Sequence, residues 1–346
     1  MAVRKEKDFE LRPSLYYQKL MADNKPSLSY DGGDVVKWQK KLRRKLIELL
    51  GLDLSAERVD LNIKSIWKKE LKVGSIEKIV FASEPGSDVL AYVCIPRKAY
   101  PPYKFMICLQ GHSTGMHNSI RLSRDEKRSI KIVEDRDFAI GCMERGIGAL
   151  CIEQRGLGQR SEIYRKKMIP DHCLEAVKHS FMFGKTLVGE RVFDVDRGID
   201  YLVSRGDVDV SAIGLMGNSG GGTATIYSAA VLKRISFAMP SCALCTFKDS
   251  IMAIRHCACN YIPGIYEYCD MGDILGLFAP RPVVVVAGSE DEIFPLAGTK
   301  KVYKDLVKIY AAAGVKDKCK LVVGEGGHRF FAEKGWSKMQ KLIKKL

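Results

Sequence analysis

No stretch of the sequence approaches the roughly eighteen consecutive apolar residues that a membrane-spanning helix needs, and a transmembrane helix is excluded on that ground. The first thirty residues also lack the apolar run of a signal peptide, because Arg4, Lys5, Lys7, Asp8, Glu10 and Arg12 break them up. A cytoplasmic location is therefore expected. Internal repeats, low-complexity tracts and Gly/Ser-rich linkers are all missing. That leaves one catalytic-sized domain over 61–346 with an N-terminal helical extension over 1–60. Disulfide scaffolding is not expected either. The 11 cysteines are odd in number, and many sit inside apolar runs such as Ala91 to Ile95 and Gly148 to Ile152, as reduced core thiols do.

Acidic residues are in deficit, 41 against 56 Lys and Arg, for a net charge of +15. An anionic partner such as nucleic acid or phospholipid is the obvious suggestion. Much of the excess, however, lies at the two ends, over 37–46 and 338–345, where the pattern is that of amphipathic surface helices. Trp38, Leu42, Leu46 and Leu49 fall on one helical face, so the basic residues opposite read as a solvated face.

What the 346 residues do contain is a succession of short apolar runs separated by helical segments. Ile76 to Ala82 and Val89 to Ile95 alternate and flank the turn Glu84-Pro85-Gly86-Ser87, which predicts a hairpin. Phe105 to Leu109, Gly148 to Ile152, Ala212 to Met216 and Val283 to Ala287 are apolar throughout, as strands buried on both faces are. With Ile235 to Met239 and Lys320 to Val323 they predict an α/β fold: a mainly parallel sheet of about eight strands covered by helices on both faces. The longest insertion, 156–191, would lie over the carboxyl ends of the strands as a partial lid.

Gly217-Asn218-Ser219-Gly220-Gly221 fits G-x-S-x-G, a pattern whose meaning depends on its setting. Here Ser211 to Met216 reads as a buried strand and Thr223 to Ala230 as a small-residue helix. A serine on so sharp a strand-to-helix turn presents its hydroxyl as a nucleophile. It needs a base and a carboxylate, in that fold's chain order. His328 follows the last strand through Gly324-Glu325-Gly326-Gly327, whereas His256 lies in an irregular Cys-rich segment. The loop after the Val283 strand offers Glu290, Asp291 and Glu292, and spacing alone does not choose among them. The oxyanion donors expected are the amide of Gly220 and, from the loop Gln110-Gly111-His112-Ser113-Thr114-Gly115, that of His112. His112 and His117 read as loop histidines that touch substrate or backbone. Cys242-Ala243-Leu244-Cys245 with His256, Cys257 and Cys259 resembles zinc-ligand clustering, but the second pair is C-x-C and Cys242 follows directly on a strand. Structural thiols, and no metal, are expected.

Taken together, Asp194 to Leu202, Asp207-Val208-Asp209, Ile213 to Gly222, Cys259 to Gly264, Ala279-Pro280-Arg281-Pro282 and Asp291 to Pro295 resemble the acetyl xylan esterase-like and dienelactone hydrolase-like branch of the α/β-hydrolases. The resemblance runs from about Ile76 to the C-terminus. It implies that Asp291 is the acid of a triad with Ser219 and His328, and that Arg155 is structural. The family's oxyanion loop usually begins His-Gly-His-Gly, where this chain has Gln110-Gly111-His112-Ser113. The implied activity is a serine carboxylesterase acting on short-chain acyl esters, acetyl first among them, of a sugar or other small molecule through an acyl-enzyme, without cofactor. The rivals are a small-peptide or lactone hydrolase of the same fold and a basic nucleic-acid- or lipid-binding protein with a vestigial triad. The expected partner is a small-molecule ester, with no nucleic acid and no membrane; a homo-oligomer is left open.

Overall fold

A computed structural model describes residues 11–112, 114–164, 167–168 and 173–344. The first described elements are two helices, α1 (Pro13–Asp23) and α2 (Val35–Leu50). Asp34 starts α2 by accepting the Val36 and Lys37 amides, and Gly51, at φ 63°, closes it. Leu42, Leu46 and Leu50 recur every fourth residue and are fully buried, whereas Leu49 is only half-buried. Trp38 and Leu49, both expected on the apolar face, pack partly buried against the same core, and Leu50 extends the stripe by one residue. These leucines join the main hydrophobic core, each contributing about 1.5–3 kcal/mol.

The strands in chain order are β1 (Lys64–Leu71), β2 (Gly74–Glu84), β3 (Ser87–Pro96), β4 (Tyr103–Leu109), β5 (Gly148–Ile152), the two-residue ribbon strands β6 (Ile163–Tyr164) and β7 (Lys167–Met168), β8 (Val208–Asn218), β9 (Phe237–Ser241), β10 (Val283–Gly288) and β11 (Cys319–Gly324). Nine of them form one sheet in the order β1-β2-β3-β5-β4-β8-β9-β10-β11. β1, β2, β3 and β5 pair antiparallel, and from β5 to β11 every neighbour is parallel. The ninth strand is β1, whose Lys64, Lys68, Lys69 and Glu70 obscure any alternation. It lies at the sheet edge, mostly exposed, where charge discourages pairing with another chain.

Seven further helices follow: α3 (Phe138–Glu144), α4 (Leu174–Met182), α5 (Leu187–Ser204), α6 (Gly220–Val231), α7 (Met271–Gly276), α8 (Leu296–Ala312) and α9 (Ala332–Ile343). One core layer joins α2, α5, α6, α7 and α8 to one sheet face; a second joins α3 and α9 to the other. Such two-sided cover is why the central strands are apolar at every position. α6 is held at its C-terminal end by two arginines. Arg281 donates to the carbonyls of Ala229, Leu232 and Ile235, and Arg43 of α2 to those of Ala230 and Leu277. They satisfy carbonyls the helix leaves open.

The Asp194 to Asp200 segment of α5 organises the charged interior. Asp194 pairs with Arg155 and Arg160 and accepts from Ser83, while Asp196 and Asp200 pair with Arg58 and Arg234. Arg155 also pairs with Glu84 and Glu190, which makes it a scaffold residue. The insertion ends earlier than 191, because Thr186 caps α5 and the helix begins at Leu187. Its described part packs Cys173, Val177 and Leu187 with Leu157 and Cys259; 165–166 and 169–172 lie outside the described residues, as do residues 1–10 of the extension. Among the described residues no helix is long and apolar enough to cross a membrane.

Candidate active site

Ser219 sits between β8 and α6 at φ 56°, ψ −124°, a left-sided conformation that strains any residue with a Cβ. Two glycines permit the turn. A methyl group at Gly217 would lie 2.4 Å from the Gly221 backbone, and one at Gly221 would lie 2.0 Å from the Leu109 carbonyl oxygen. Only hydrogen fits where β4, β8 and α6 converge. The Ser219 amide is tied to the Ser241 carbonyl at 2.9 Å, and the side chain is half-buried.

Asp291 follows β10 and His328 follows β11, on the same carboxyl edge of the sheet as Ser219 after β8. His328 Nδ1 lies 2.9 Å from Asp291 Oδ2 and 3.1 Å from Oδ1. Asp291 Oδ1 also accepts the Ile293 and Phe294 amides at 2.9 and 3.0 Å, so the backbone fixes the carboxylate before the histidine meets it. Of the three acids that spacing left open, Asp291 is buried against His328, whereas Glu290 and Glu292 are exposed. Burial pushes the Asp291 carboxyl up, but the hydrogen bond and charge of His328 and the two amides outweigh it and hold the group below its usual range. His328 Nε2 is buried and has no hydrogen-bond partner among the described residues, leaving it available to accept a proton.

Gly220 opens α6, where unpaired amides and the helix dipole favour an anion. The His112 ring covers it: a methyl at Gly220 would lie 2.6 Å from His112 Cε1 and 2.8 Å from Nδ1. Gly111 lies equally close to Asn218 and Ser219, and Thr114 Oγ1 donates to the Gly111 carbonyl at 2.8 Å. Ser113 lies outside the described residues. His117 is buried beside Gly115 and Glu153.

Further side chains surround His328. Phe294 stacks on His328 with ring centroids 6.0 Å apart, and His256 packs edge-on against Phe294 at 5.6 Å. His256 Nδ1 meets Asn260 Nδ2 at 2.9 Å. Burial, then the nearby His112 and His328 charges, push its imidazole down to about 4, so it is neutral at pH 7. In the sequence Asn260 and Phe294 were signalled only by the Cys259 to Gly264 and Asp291 to Pro295 segments, and His256 only as part of the Cys-rich stretch. Cys242, at φ 45°, lies beside Asp291 and His328 with its thiol on the Arg329 carbonyl at 3.1 Å. Burial and then the Asp291 charge push that thiol up to about 12, so it stays protonated. All 11 cysteines are free.

A parallel sheet with an antiparallel leading edge, a strained serine between strand and helix, and an acid and a histidine after the next two strand ends beyond β9 define the α/β-hydrolase fold, and the chain has that fold. No family model matches the chain. It is 25% identical over 303 residues to a Bacillus subtilis candidate hydrolase, YtaP, covering 83% of this chain and 92% of that protein. Among solved structures it resembles a candidate acetyl xylan esterase from Bacteroides fragilis, with TM-score 0.77, 16% identity and coverage of 93% of this chain and 84% of that one. It also resembles a glucuronoyl esterase from Solibacter usitatus, with TM-score 0.65, 15% identity and coverage of 93% and 98%.

Proposed function

We propose that the protein is a serine carboxylesterase that hydrolyses short-chain esters, acetyl esters first among them, of a sugar or another small molecule. The observation that carries this reading is the Asp291–His328 pair, whose free Nε2 sits on the same sheet edge as the strained Ser219. In the reaction Nε2 takes the Ser219 hydroxyl proton as Oγ attacks the ester carbonyl, and Asp291 holds the Nδ1 proton and stabilises the imidazolium. The Gly220 amide, with that of His112, receives the oxyanion. Collapse of the tetrahedral species expels the alcohol, protonated by His328. Water then repeats the sequence on the acyl-serine and releases the acid. The acetyl xylan, glucuronoyl and methyl esterases among the structural neighbours support an ester of a carbohydrate as substrate.

The test is hydrolysis of p-nitrophenyl acetate, butyrate and octanoate, then of acetylated sugars and a uronic acid methyl ester, by the wild type and by Ser219→Ala. Acetate is expected to be preferred, and the variant to lose activity on the order of 10⁶-fold. Equal turnover by both proteins, or none on any ester, overturns the assignment. Preference for the uronic acid methyl ester would keep the triad and discard acetyl specificity.

A further inference from the structure

Beside this edge of the sheet lies a second group of chemically potent side chains that the ester reaction does not use. His112 comes from the loop after β4, Cys173 from the cap of α4, and Cys257 and Cys259 from a short 3₁₀ turn at 258–260. One ligand atom from each, a histidine nitrogen and three sulfurs, lies within 4.8 Å of all the others. His112 Nε2 is 3.1 Å from Cys259 Sγ, and the Cys257 and Cys259 sulfurs are 3.3 Å apart. A tetrahedral zinc ion with metal–sulfur bonds of about 2.3 Å has edges of roughly 3.8 Å between ligand atoms. The two closest pairs fall about 0.5–0.7 Å inside that edge and the others within 4.8 Å, so a small outward shift of the side chains admits the ion.

A second observation comes from Arg191. It is only 2% exposed, and among the described residues its acceptors are the Arg155 carbonyl and the two sulfurs Cys259 Sγ and Cys173 Sγ, each at 3.3 Å. No carboxylate among the described residues pairs with it. A buried guanidinium needs a counter-charge, and the thiolates are the groups placed to supply it. Three thiolates, a neutral imidazole and a divalent ion sum to −1, which Arg191 balances.

The geometry points to a Cys₃His zinc site formed by His112, Cys173, Cys257 and Cys259. It departs from the expectation that the chain needs no metal, and it is a different set from the one the sequence suggested. Cys242 is beside Asp291, and Cys245 faces the Pro295 carbonyl, so neither belongs to it. Four protein ligands leave no open position, so the ion is structural. It clips three separate segments together next to the nucleophile turn. With Nε2 on the metal, His112 must keep its proton on Nδ1, the nitrogen that faces Gly220.

The test uses the full chain, purified without chelator under anaerobic conditions. Titrating its thiols with an organomercurial in the presence of a chromogenic chelator is expected to release about one zinc per chain. Cobalt added to the zinc-stripped, reduced protein is expected to give the thiolate-to-cobalt charge-transfer band and the visible spectrum of a tetrahedral site. Cys257→Ser, at the partly exposed ligand, should lose both signals while keeping the wild-type circular dichroism. Cys245→Ser, a buried thiol outside the cluster, should keep both. Absence of zinc together with absence of the charge-transfer band overturns the site, as does a disulfide between Cys257 and Cys259 or Cys173 in the anaerobic protein. None of these readouts depends on ester turnover, so the site and the esterase reading can fail separately.

Discussion

The substitution Asp291→Asn isolates what the carboxylate contributes to the proposed reaction. Asn keeps an oxygen for the Ile293 and Phe294 amides, so the loop after β10 should hold its turn. What it cannot do is accept the His328 Nδ1 proton while donating nothing: its amide nitrogen is a donor, and if it faces Nδ1 the imidazole must carry its proton on Nε2 instead. The base would then point a hydrogen at Ser219. Loss of a carboxylate in this role costs on the order of 10⁴ in kcat, or about 5.4 kcal/mol of transition-state stabilisation at 1.36 kcal/mol per tenfold. The assay is steady-state hydrolysis of p-nitrophenyl acetate, with Glu290→Gln and Glu292→Gln as exposed neighbours that should change kcat less than about twofold. A folded Asp291→Asn enzyme within tenfold of wild type, or an equal loss in Glu292→Gln, would refute the assignment of the acid. The carboxylate's depressed value carries a stability signature as well. Its contribution is present above the unfolded Asp value of about 3.9 and lost as pH falls through the lower folded value. Asp291→Asn should therefore flatten part of the acid limb of the stability curve.

Three further outcomes concern the scaffold. Asp194→Asn strips the half-buried Arg155 and Arg160 of a shared, buried counter-charge and should destabilise by about 3–5 kcal/mol in a denaturant titration. Burial raises the Asp194 carboxyl, but Arg160 and Arg155 bring it down to about 2, so this stability is present above about pH 3.9 and lost only as pH falls through 2. Glu153 behaves oppositely: burial pushes it up to about 7 against the Gln159 and Met116 amides. The folded form then holds its proton more tightly than the unfolded one, so stability should fall between about pH 4.5 and 7 by on the order of 3 kcal/mol, a slope that Glu153→Gln removes. Leu46→Ala, in α2, should cost about 2–5 kcal/mol by thermal or chemical unfolding, because it opens a void in the main core.

The parts of this molecule that were legible in the sequence are those with a single local cause. Strands buried on both faces must be apolar throughout, so β4, β5, β8 and β10 announced themselves, and the Ser219 turn is written in its glycines. β1 was missed because an exposed edge strand needs charge rather than alternation. The choice among Glu290, Asp291 and Glu292 was closed to spacing, since a one-residue shift in a loop changes which side chain turns inward; in the structure the Ile293 and Phe294 amides hold that of Asp291 there. Cys173 could not be associated with Cys257 and Cys259, nor His112 with either. Their meeting depends on where the insertion folds back, which no short-range pattern encodes. Arg191 was unreadable for the same reason: on α5 it looks like one more cation in a basic chain.

The grip of Arg43 and Arg281 on the far end of α6 makes that helix a lever. Its 12 residues span roughly 18 Å, with Ser219 at one tip and the two guanidiniums at the other. A tilt of only about 3° would carry Ser219 close to 1 Å, and in the proposed reaction a misplacement of that size would cost on the order of a hundredfold in rate. The extension before β1, through Arg43, thus holds a share in the aim of a serine it never touches.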